Sequence, residues 1–320
     1  MAKVLITARS VAANKEGKAM LEAAGHEVII HVGDSVWSEA DMMRIIPGMD
    51  AIIAGLDEIT GKVIAAGAPT LKIIARNGVG YNKVDVEAAE KFGIPVTLAP
   101  GANTISVCEL VFGLMLSLAR VIPVQDAEVR QGGWKRNLGC ELYGKVLGVL
   151  GTGNIGSEVI KRAHAFGMEI VAFDVWQRPD LCQQYNLKYL SMEEVVKKAD
   201  FLTLHLPVTP DTINSINNRT LKMMKDTAFI INTARGELVD EQALYVALKD
   251  GKLAGYGADT LVQEPPAPDH PLFTLANVVL TPHCGAYTGE AVTRCSVTAA
   301  QEVIRVLSGQ VPLYPISQKV

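Results

Sequence analysis

The sequence predicts an α/β protein built from two doubly wound, Rossmann-like parallel sheets. Its 320 residues are more than a single hydrophobic core usually holds, which favours two domains. Short apolar runs alternate with polar, helix-like segments, the pattern of parallel strands joined by crossover helices. This alternation is interrupted near residue 100 and resumes near residue 145. We therefore expect one sheet on each side of the interruption.

The first series predicts five strands, enough for one wound sheet. They are expected at residues 4–6, 27–30, 51–53, 72–75 and 95–97. Residues 103–120 follow as an apolar-rich helix preceded by Pro100 and Gly101, which is typical of a connection between domains.

The second series predicts a sheet of about six strands. They are expected at residues 146–150, 169–173, 201–204, 228–231, 254–258 and 278–280. A last helix, residues 290–307, precedes a glycine and two prolines. This helix can pack on either domain, and the residue pattern alone does not decide between them.

Composition excludes several classes of partner. Thirty Lys and Arg stand against 34 Asp and Glu, the net charge is -4, and no basic block accumulates, so we expect neither nucleic acid nor an anionic membrane as a partner. Residues 4–6 are too short an apolar core for a signal peptide, and residues 110–119 are about half the length of a membrane-spanning helix. We expect no exported or membrane-bound protein.

The cysteines and histidines predict a protein of a reducing compartment without a metal site. Five scattered cysteines contain no C-x-x-C pair, which is unlike a disulfide framework or a zinc site. No pair of histidines has metal-ligand spacing. The expected location is the cytoplasm.

A glycine-rich loop predicts a dinucleotide site. The strand at 146–150 runs into G-x-G-x-x-G, and residues 157–166 have helical periodicity. In this context the first glycine permits a tight turn, the second lets a pyrophosphate approach, and the third lets helix and strand pack closely. The helix N-terminus then offers free N–H groups to the phosphates. The predicted contacts are Gly151, Gly153, Asn154, Ile155 and Gly156.

Asp174 predicts the choice of cofactor. It ends the next strand, eighteen residues beyond Gly156, where a carboxylate can accept hydrogen bonds from both ribose hydroxyls. Its charge would repel a 2′-phosphate by about 4 kcal/mol per unit charge at an effective dielectric near 20. NAD is therefore favoured over NADP, although nearby Arg178 softens the bias.

Three polar residues predict a catalytic group at the same sheet edge. Arg235, Glu264 and His283 each follow a predicted strand, and ligands of a doubly wound sheet bind outside the carboxyl ends of the strands. A cation, an acid and a base that meet beside a cofactor indicate an active site.

These motifs resemble a known family. The segments GTGNIG, NTARGELVDE, Glu264-Pro-Pro and Pro282-His283-Cys-Gly-Ala, with ARNGVGYNKVD in the first series, are similar to the D-isomer-specific 2-hydroxyacid dehydrogenases, near the D-3-phosphoglycerate dehydrogenase branch. The resemblance covers nearly the whole chain. It implies a flavodoxin-like substrate-binding domain of residues 1–99 plus 289–320, a Rossmann NAD-binding domain of residues 100–288, and an active site in the cleft between them.

The resemblance also implies roles for the three polar residues. His283 would be the general acid/base as nicotinamide C4 exchanges a hydride with substrate C2. Glu264 would hydrogen-bond the other imidazole nitrogen and favour the protonated ring. Arg235 would hold the substrate carboxylate through a bidentate fork. Further implied contacts are Asn77, Gly78 and Val79 for the substrate carboxylate, Thr233, Ala234, Asp259 and Ala286 for the nicotinamide side, and Leu206, Pro207 and Thr212 for the adenine and ribose edge.

Departures from the family pattern leave the substrate open. Ala54 and Gly55 stand where the phosphoglycerate enzymes commonly have an Arg, and Asn82 replaces the usual acid of the substrate loop. Arg76 keeps a basic residue beside that loop, as a substrate contact or as a surface cation.

Three functions follow as hypotheses. The first is an NAD-dependent dehydrogenase of a small D-2-hydroxy acid, with 3-phosphoglycerate as one candidate. The second is a glyoxylate or hydroxypyruvate reductase. The third, of another class, is an NAD-sensing interaction protein of the corepressor type. The family implies a homodimer that uses residues 110–124 and the Trp134 segment. Because the sequence ends at Val320, we expect no C-terminal regulatory domain and no serine feedback.

Overall fold

The computed structural model describes residues 1–33 and 36–316. It divides into two compact units. Unit 1 comprises Met1–Asn103 and Ala286–Val320, and unit 2 comprises Thr104–Gly285. Residues 317–320, the end of the first predicted domain, lie outside the described residues. The prediction of two parallel sheets is confirmed.

Unit 1 is built on a five-stranded parallel sheet. The strands are β1 (Lys3–Ile6), β2 (Glu27–Ile30), β3 (Ala51–Ala54), β4 (Ile73–Arg76) and β5 (Val96–Thr97). The helices of this segment are α1 (Arg9–Ala13), α2 (Lys15–Ala23), α3 (Glu39–Ile45), α4 (Gly61–Gly67) and α5 (Val86–Lys91). The strand order is β2-β1-β3-β4-β5. All residues of β3 and β4 are buried, as expected for strands covered on both faces.

Unit 2 is built on a seven-stranded parallel sheet. Its helices are α6 (Thr104–Ala119), α7 (Ile122–Arg130), α8 (Asn154–Ala165), α9 (Pro179–Tyr185), α10 (Met192–Lys198), α11 (Asn218–Leu221) and α12 (Glu241–Lys249). Its strands are β6 (Val146–Leu150), β7 (Glu169–Phe173), β8 (Lys188–Tyr189), β9 (Phe201–Leu204), β10 (Phe229–Asn232), β11 (Gly255–Ala258) and β12 (Val278–Leu280). The predicted count of about six was wrong because β8 consists of Lys188 and Tyr189, which are not buried and form no apolar run.

The strand order of unit 2 places a switch point at the middle of the sheet. The order is β12-β11-β10-β9-β6-β7-β8. The chain leaves β6 outward through β7 and β8 and then returns to β9 on the other side of β6. In open α/β sheets, ligands bind at the carboxyl ends of the strands on either side of such a reversal. The edge beyond β6 and β9 is therefore where a ligand site is expected.

The last helix, α13 (Gly289–Leu307), completes unit 1. It packs against α2, β3 and β4. Its Ala299, Ala300 and Val303 are buried in one cluster with Val4 and Ile53. The structure thus settles what the sequence left open, since the final helix belongs with the first series of strands.

Within the described ranges, no single helix has the length and apolarity to cross a membrane. Helices α6 and α7 meet those criteria only as a pair, and the pair is bent by 64°.

Candidate active site

The dinucleotide loop joins β6 to α8 through two glycines that the backbone itself requires. Gly151 has φ 97°, and a Cβ there would lie 2.7 Å from the His205 carbonyl. A Cβ on Gly156 would lie 2.1 Å from the Gly151 carbonyl oxygen. Helix α8 begins at Asn154, three residues before the predicted helix. The strand, tight turn and helix therefore have the geometry that the motif demands.

Gly153 is free of such constraints, and the open space beside it leaves room for a ligand. It caps α8 with φ -64°, and no atom lies within 4 Å of where its Cβ would be. It supplies no side-chain cap, so the N–H groups at the start of α8, including those of Asn154 and Ile155, have no side-chain acceptor at the cap. Bare backbone donors at a helix N-terminus suit a pyrophosphate.

Asp174 lies at the carboxyl end of β7, beside this loop. Its Oδ2 accepts hydrogen bonds from Thr152 N at 2.5 Å and from Thr152 Oγ1 at 3.1 Å, and its Oδ1 accepts one from Trp176 N at 2.9 Å. Arg178 forms an ion pair with Asp180 at 2.6 Å and donates to Ser157 Oγ at 3.0 Å. The carboxylate that we predict to bind the ribose therefore lies beside the glycine loop, with partners that the sequence did not indicate.

The predicted adenine-side residues follow β9 on the other flank of the loop. A Cβ on Gly151 would lie 3.0 Å from Leu206 N, so this segment borders the turn directly. Thr212 Oγ1 donates to Pro207 O at 2.6 Å and accepts from Thr209 N at 2.7 Å. The Thr212 hydroxyl thus shapes the turn that carries Pro207.

Glu264 and His283 form a close pair at the carboxyl ends of β11 and β12. Their Oε2 and Nδ1 atoms lie 2.6 Å apart, and the side chains are 33% and 30% exposed. Because an ionised carboxylate only accepts, Nδ1 carries a proton in this contact. The contact therefore fixes the orientation of the His283 imidazole, and the ring is exposed enough for solvent and small molecules to reach it.

The pKa of Glu264 is held below its usual value. Burial raises it, but the hydrogen bond and charge of His283, the Leu261 amide and the charge of Arg235 outweigh that effect. The Leu261 amide donates to Glu264 Oε1 at 3.1 Å. The carboxyl group is therefore ionised at neutral pH and acts as the hydrogen-bond acceptor of the pair.

Asp259 holds the turn that carries His283. The carboxylate is buried, with Oδ1 accepting from Thr281 Oγ1 at 2.5 Å and from Cys284 N at 2.8 Å. Its Oδ2 accepts from Gly285 N at 2.8 Å, and its carbonyl accepts from His283 N at 2.9 Å. These bonds hold His283 at φ 50°, a left-handed conformation that non-glycine residues rarely adopt.

Arg235 follows β10, the neighbour of β11. Buried Asn232 fixes its turn, because Asn232 Nδ2 donates to Arg235 O at 2.7 Å and Oδ1 accepts from Ala234 N at 3.0 Å. The half-buried guanidinium donates to Ala234 O at 2.6 Å. Since its charge lowers the pKa of Glu264, it lies within electrostatic reach of the pair.

Two buried hydroxyls near this edge have no hydrogen-bond partner among the described residues. They belong to Thr233 and Thr260. A buried polar atom without a partner is uncommon, and a bound polar group would satisfy it. Thr233 is a predicted nicotinamide contact, so its unpaired hydroxyl fits that cofactor. Thr260 was not predicted to act, and its unpaired hydroxyl left no signal in the sequence.

The predicted substrate loop lies in unit 1, after β4. Asn77 Nδ2 donates to Ser10 Oγ at 2.6 Å, and Gly78, at φ 142°, accepts from Ala99 N at 2.8 Å. Ala286 is also in unit 1, where the chain re-enters it. The structure thus brings the other predicted residues together at one edge of unit 2 and places Asn77, Gly78, Val79 and Ala286 in the other unit.

Arg76 corrects one expectation. It is buried, and it donates to Gly80 O at 3.0 Å through Nε and to Ala54 O at 3.3 Å through Nη1. The interpretation of Arg76 as a surface cation was therefore wrong. Its bond to Gly80 O links β4 to the predicted substrate loop.

Comparison with known proteins identifies relatives of both the sequence and the fold. Residues 112–285 match the family model described as D-isomer specific 2-hydroxyacid dehydrogenase, NAD binding domain. A D-3-phosphoglycerate dehydrogenase of Methanocaldococcus jannaschii is 41% identical over 313 residues, which are 97% of this chain and 58% of that protein. A hydroxypyruvate reductase of Thermotoga maritima is 41% identical over 272 residues, 83% of this chain and 88% of that protein.

A solved structure shares the fold over nearly the whole chain. The D-lactate dehydrogenase of Aquifex aeolicus, in complex with NAD and lactic acid, superposes with a TM-score of 0.83 at 29% identity and covers 96% of both chains. The present chain thus spans little more than half of the Methanocaldococcus relative and nearly all of the Aquifex one.

Proposed function

This chain belongs to the D-isomer-specific 2-hydroxyacid dehydrogenase family and contains its NAD-binding domain, and on that premise we propose that it transfers a hydride between NAD(H) and C2 of a small D-2-hydroxy or 2-oxo acid. The observation that carries the proposal is the 2.6 Å contact between His283 Nδ1 and Glu264 Oε2, within electrostatic reach of Arg235.

NAD, when bound, supplies the acceptor or donor of the hydride, and the residues of this chain supply the rest. Gly151, Gly153 and the first amides of α8 would hold the pyrophosphate, and Asp174 the adenosine ribose. Thr233, Ala234, Asp259 and Ala286 stay predicted contacts of the nicotinamide side, as Leu206, Pro207 and Thr212 do for the adenine side.

Proton transfer falls to His283. With Nδ1 hydrogen-bonded to Glu264, Nε2 is the atom that gives a proton to the carbonyl oxygen during reduction or accepts one from the hydroxyl during oxidation. The ionised Glu264 accepts a hydrogen bond from Nδ1 and so holds the ring in the orientation that leaves Nε2 available. Arg235 would bind the substrate carboxylate, with the amides of Asn77, Gly78 and Val79 as further donors.

The test is a His283→Ala variant assayed with NADH and a panel of 2-oxo acids. General acid/base catalysis contributes roughly 10²- to 10⁴-fold, so kcat should fall by that factor while NADH affinity is retained. His164→Ala, which changes an exposed histidine on α8, is the matched control and should keep wild-type turnover. Tight NADH binding by the wild type without turnover of any acid would instead favour the corepressor type of function.

We propose that the substrate is unphosphorylated, as in a glyoxylate or hydroxypyruvate reductase. Buried Arg76 donates to backbone carbonyls, and Ala54 and Gly55 offer no cation to a phosphate. The similarity to a D-3-phosphoglycerate dehydrogenase supports the other candidate, 3-phosphoglycerate. Hydroxypyruvate and glyoxylate should therefore give higher kcat/KM than phosphohydroxypyruvate, and a phosphorylated substrate preferred tenfold or more would refute this choice.

We further propose a homodimer in a reducing compartment, the cytoplasm. All five cysteines are free. A groove of about 1000 Å³ is lined by residues of α6, of α7 and of the following segment, including Leu118, Pro123 and Leu138. Leu138 is 98% accessible, and Trp134, four residues earlier in the chain, is 79% accessible. Such apolar exposure suits a second copy of the chain. Sedimentation at micromolar concentration should give twice the chain mass, and a monomer would contradict the proposal.

A further inference from the structure

A chain of hydrogen bonds leads from the backbone of Arg178 to the carboxylate of Asp174. Arg178 N donates to Tyr189 Oη at 3.0 Å, Tyr189 Oη and Thr152 Oγ1 lie 2.8 Å apart, and Thr152 Oγ1 lies 3.1 Å from Asp174 Oδ2. Tyr189 belongs to β8, the strand that the sequence pattern did not predict. Thr152 is the buried residue between the first two glycines of the dinucleotide loop.

The direction of every bond in this chain is determined by its ends. An ionised carboxylate only accepts, so the single proton of the Thr152 hydroxyl points to Asp174. Thr152 must then accept from Tyr189, and Tyr189, whose proton is engaged, accepts from the amide of Arg178. The Thr152 hydroxyl is consequently held as a donor to Asp174 and cannot turn away to accept from a ligand without breaking the chain.

The carboxylate of Asp174 can therefore accept few further hydrogen bonds. Its two oxygens offer about four lone-pair sites. Oδ2 is filled by Thr152 N and Thr152 Oγ1, and Oδ1 accepts from Trp176 N. Of the four sites, one remains, and it lies on Oδ1.

We propose that Thr152 is a specificity-determining residue that restricts Asp174 to a single hydroxyl of the adenosine ribose, with Tyr189 as the positioning residue that orients the Thr152 hydroxyl. This replaces the expectation that Asp174 accepts from both ribose hydroxyls. The inference rests on the proposed binding of NAD, and it concerns how the cofactor is recognised rather than whether it binds.

The experiment measures NADH affinity by fluorescence and then displaces NADH with ADP, 2′-deoxy-ADP or 3′-deoxy-ADP. In the wild type, one deoxy analogue should bind roughly tenfold or more weakly than ADP, because it lacks a hydrogen bond to a charged group. The other analogue should bind within about twofold of ADP. If both analogues bind equally more weakly than ADP, or if both bind as tightly as ADP, the inference is overturned, although the proposed binding of NADH is not.

Thr152→Val provides the second arm, since it frees one lone pair of Oδ2 at nearly constant volume. Both deoxy analogues should then bind about tenfold more weakly than ADP. Thr203→Val, the same change at a buried residue of β9 whose Oγ1 pairs with His205 Nε2 at 2.9 Å, should keep the wild-type pattern. An unchanged pattern in a folded Thr152→Val protein, checked by its melting temperature, overturns the inference.

The comparison of ADP with the two deoxy analogues on the wild-type protein tests the inference even if the Thr152 variant does not fold, because it needs no substitution. A wild type that binds neither NADH nor ADP overturns this inference and the proposed cofactor site together.

Discussion

Asp259 stabilises the backbone of the turn that carries His283. Both of its carboxylate oxygens accept from the turn of residues 281–285, and this buried carboxylate opposes the strain of His283 at φ 50°. A backbone in that region costs on the order of 1–3 kcal/mol. The orientation of the imidazole therefore depends on a residue in another loop.

Asp259→Asn should lower the free energy of unfolding by about 1–3 kcal/mol and reduce kcat. The amide group replaces one acceptor by a donor, which leaves a backbone N–H of the turn unpaired. Urea denaturation and steady-state kinetics measure the two effects. Asp240→Asn is the control, because Asp240 caps α12 through its Oδ1 and Asn is an equally good N-cap. Wild-type kcat in Asp259→Asn would contradict a positioning role.

Individual residues show where sequence reasoning about the site reaches its limit. Arg235, Glu264 and His283 were predicted from their places after strands, since parallel strands bring their carboxyl ends to one edge. The burial of Arg76 and the partners of Asp174 were not predicted. Their hydrogen bonds join backbone carbonyls, amides and a tyrosine from separate segments, and no local pattern encodes such contacts. The roles of the site residues stay predictions.

At the scale of elements, the strands were the most predictable feature. The eleven strands expected from apolar runs agree with the structure to within one residue at each end. Strand β8 was missed because an exposed Lys and a partly buried Tyr form no apolar run, yet this strand places Tyr189 beside the glycine loop. The partner of α13 was not predictable from its own pattern, because an apolar helix face fits either sheet.

Asp200, between α10 and β9, links three segments of the chain through one carboxylate. Its Oδ2 accepts from Val146 N at the start of β6 at 2.8 Å, and its Oδ1 pairs with Lys225 Nζ at 2.8 Å. Burial raises the pKa of Asp200, but the bonds to Lys225 and Val146 outweigh burial and hold the pKa below its usual value. The ionised form is therefore favoured by folding.

Asp200→Asn should lower the free energy of unfolding by about 1 kcal/mol at neutral pH. Since the folded pKa is lowered, the stabilisation is fully present above about pH 4, the pKa of an unfolded aspartate. It disappears as the pH falls through the folded-state value. Denaturant titrations of wild type and variant from pH 7 to pH 3 should converge at the acid end, and a difference that grows there would contradict this account.

At the scale of the whole molecule, each unit has a core of its own. The two large apolar clusters of unit 2 draw every member from residues 104–285, and those of unit 1 draw theirs from the two flanking segments. Unit 2 is continuous in sequence, whereas unit 1 is assembled from both sides of it.

A fragment of residues 104–285 should fold alone and bind NADH, because it contains both faces of its sheet and the entire glycine loop. It should not turn over substrate, because the predicted loop at Asn77, Gly78 and Val79 is missing. Circular dichroism, NADH fluorescence and an activity assay test these three statements. Turnover by the fragment would refute the proposed role of that loop.

The late position of α13 has a consequence for biosynthesis. The side of the first sheet that carries Val4, Ile53 and Ile73 is covered by Ala299, Ala300 and Val303. At 5–20 residues per second, a ribosome needs roughly 10–40 s to proceed from residue 103 to residue 307. Throughout that interval these apolar side chains of the nascent N-terminal segment lack the helix that covers them. We therefore expect chaperones that bind nascent chains to associate with this segment during translation.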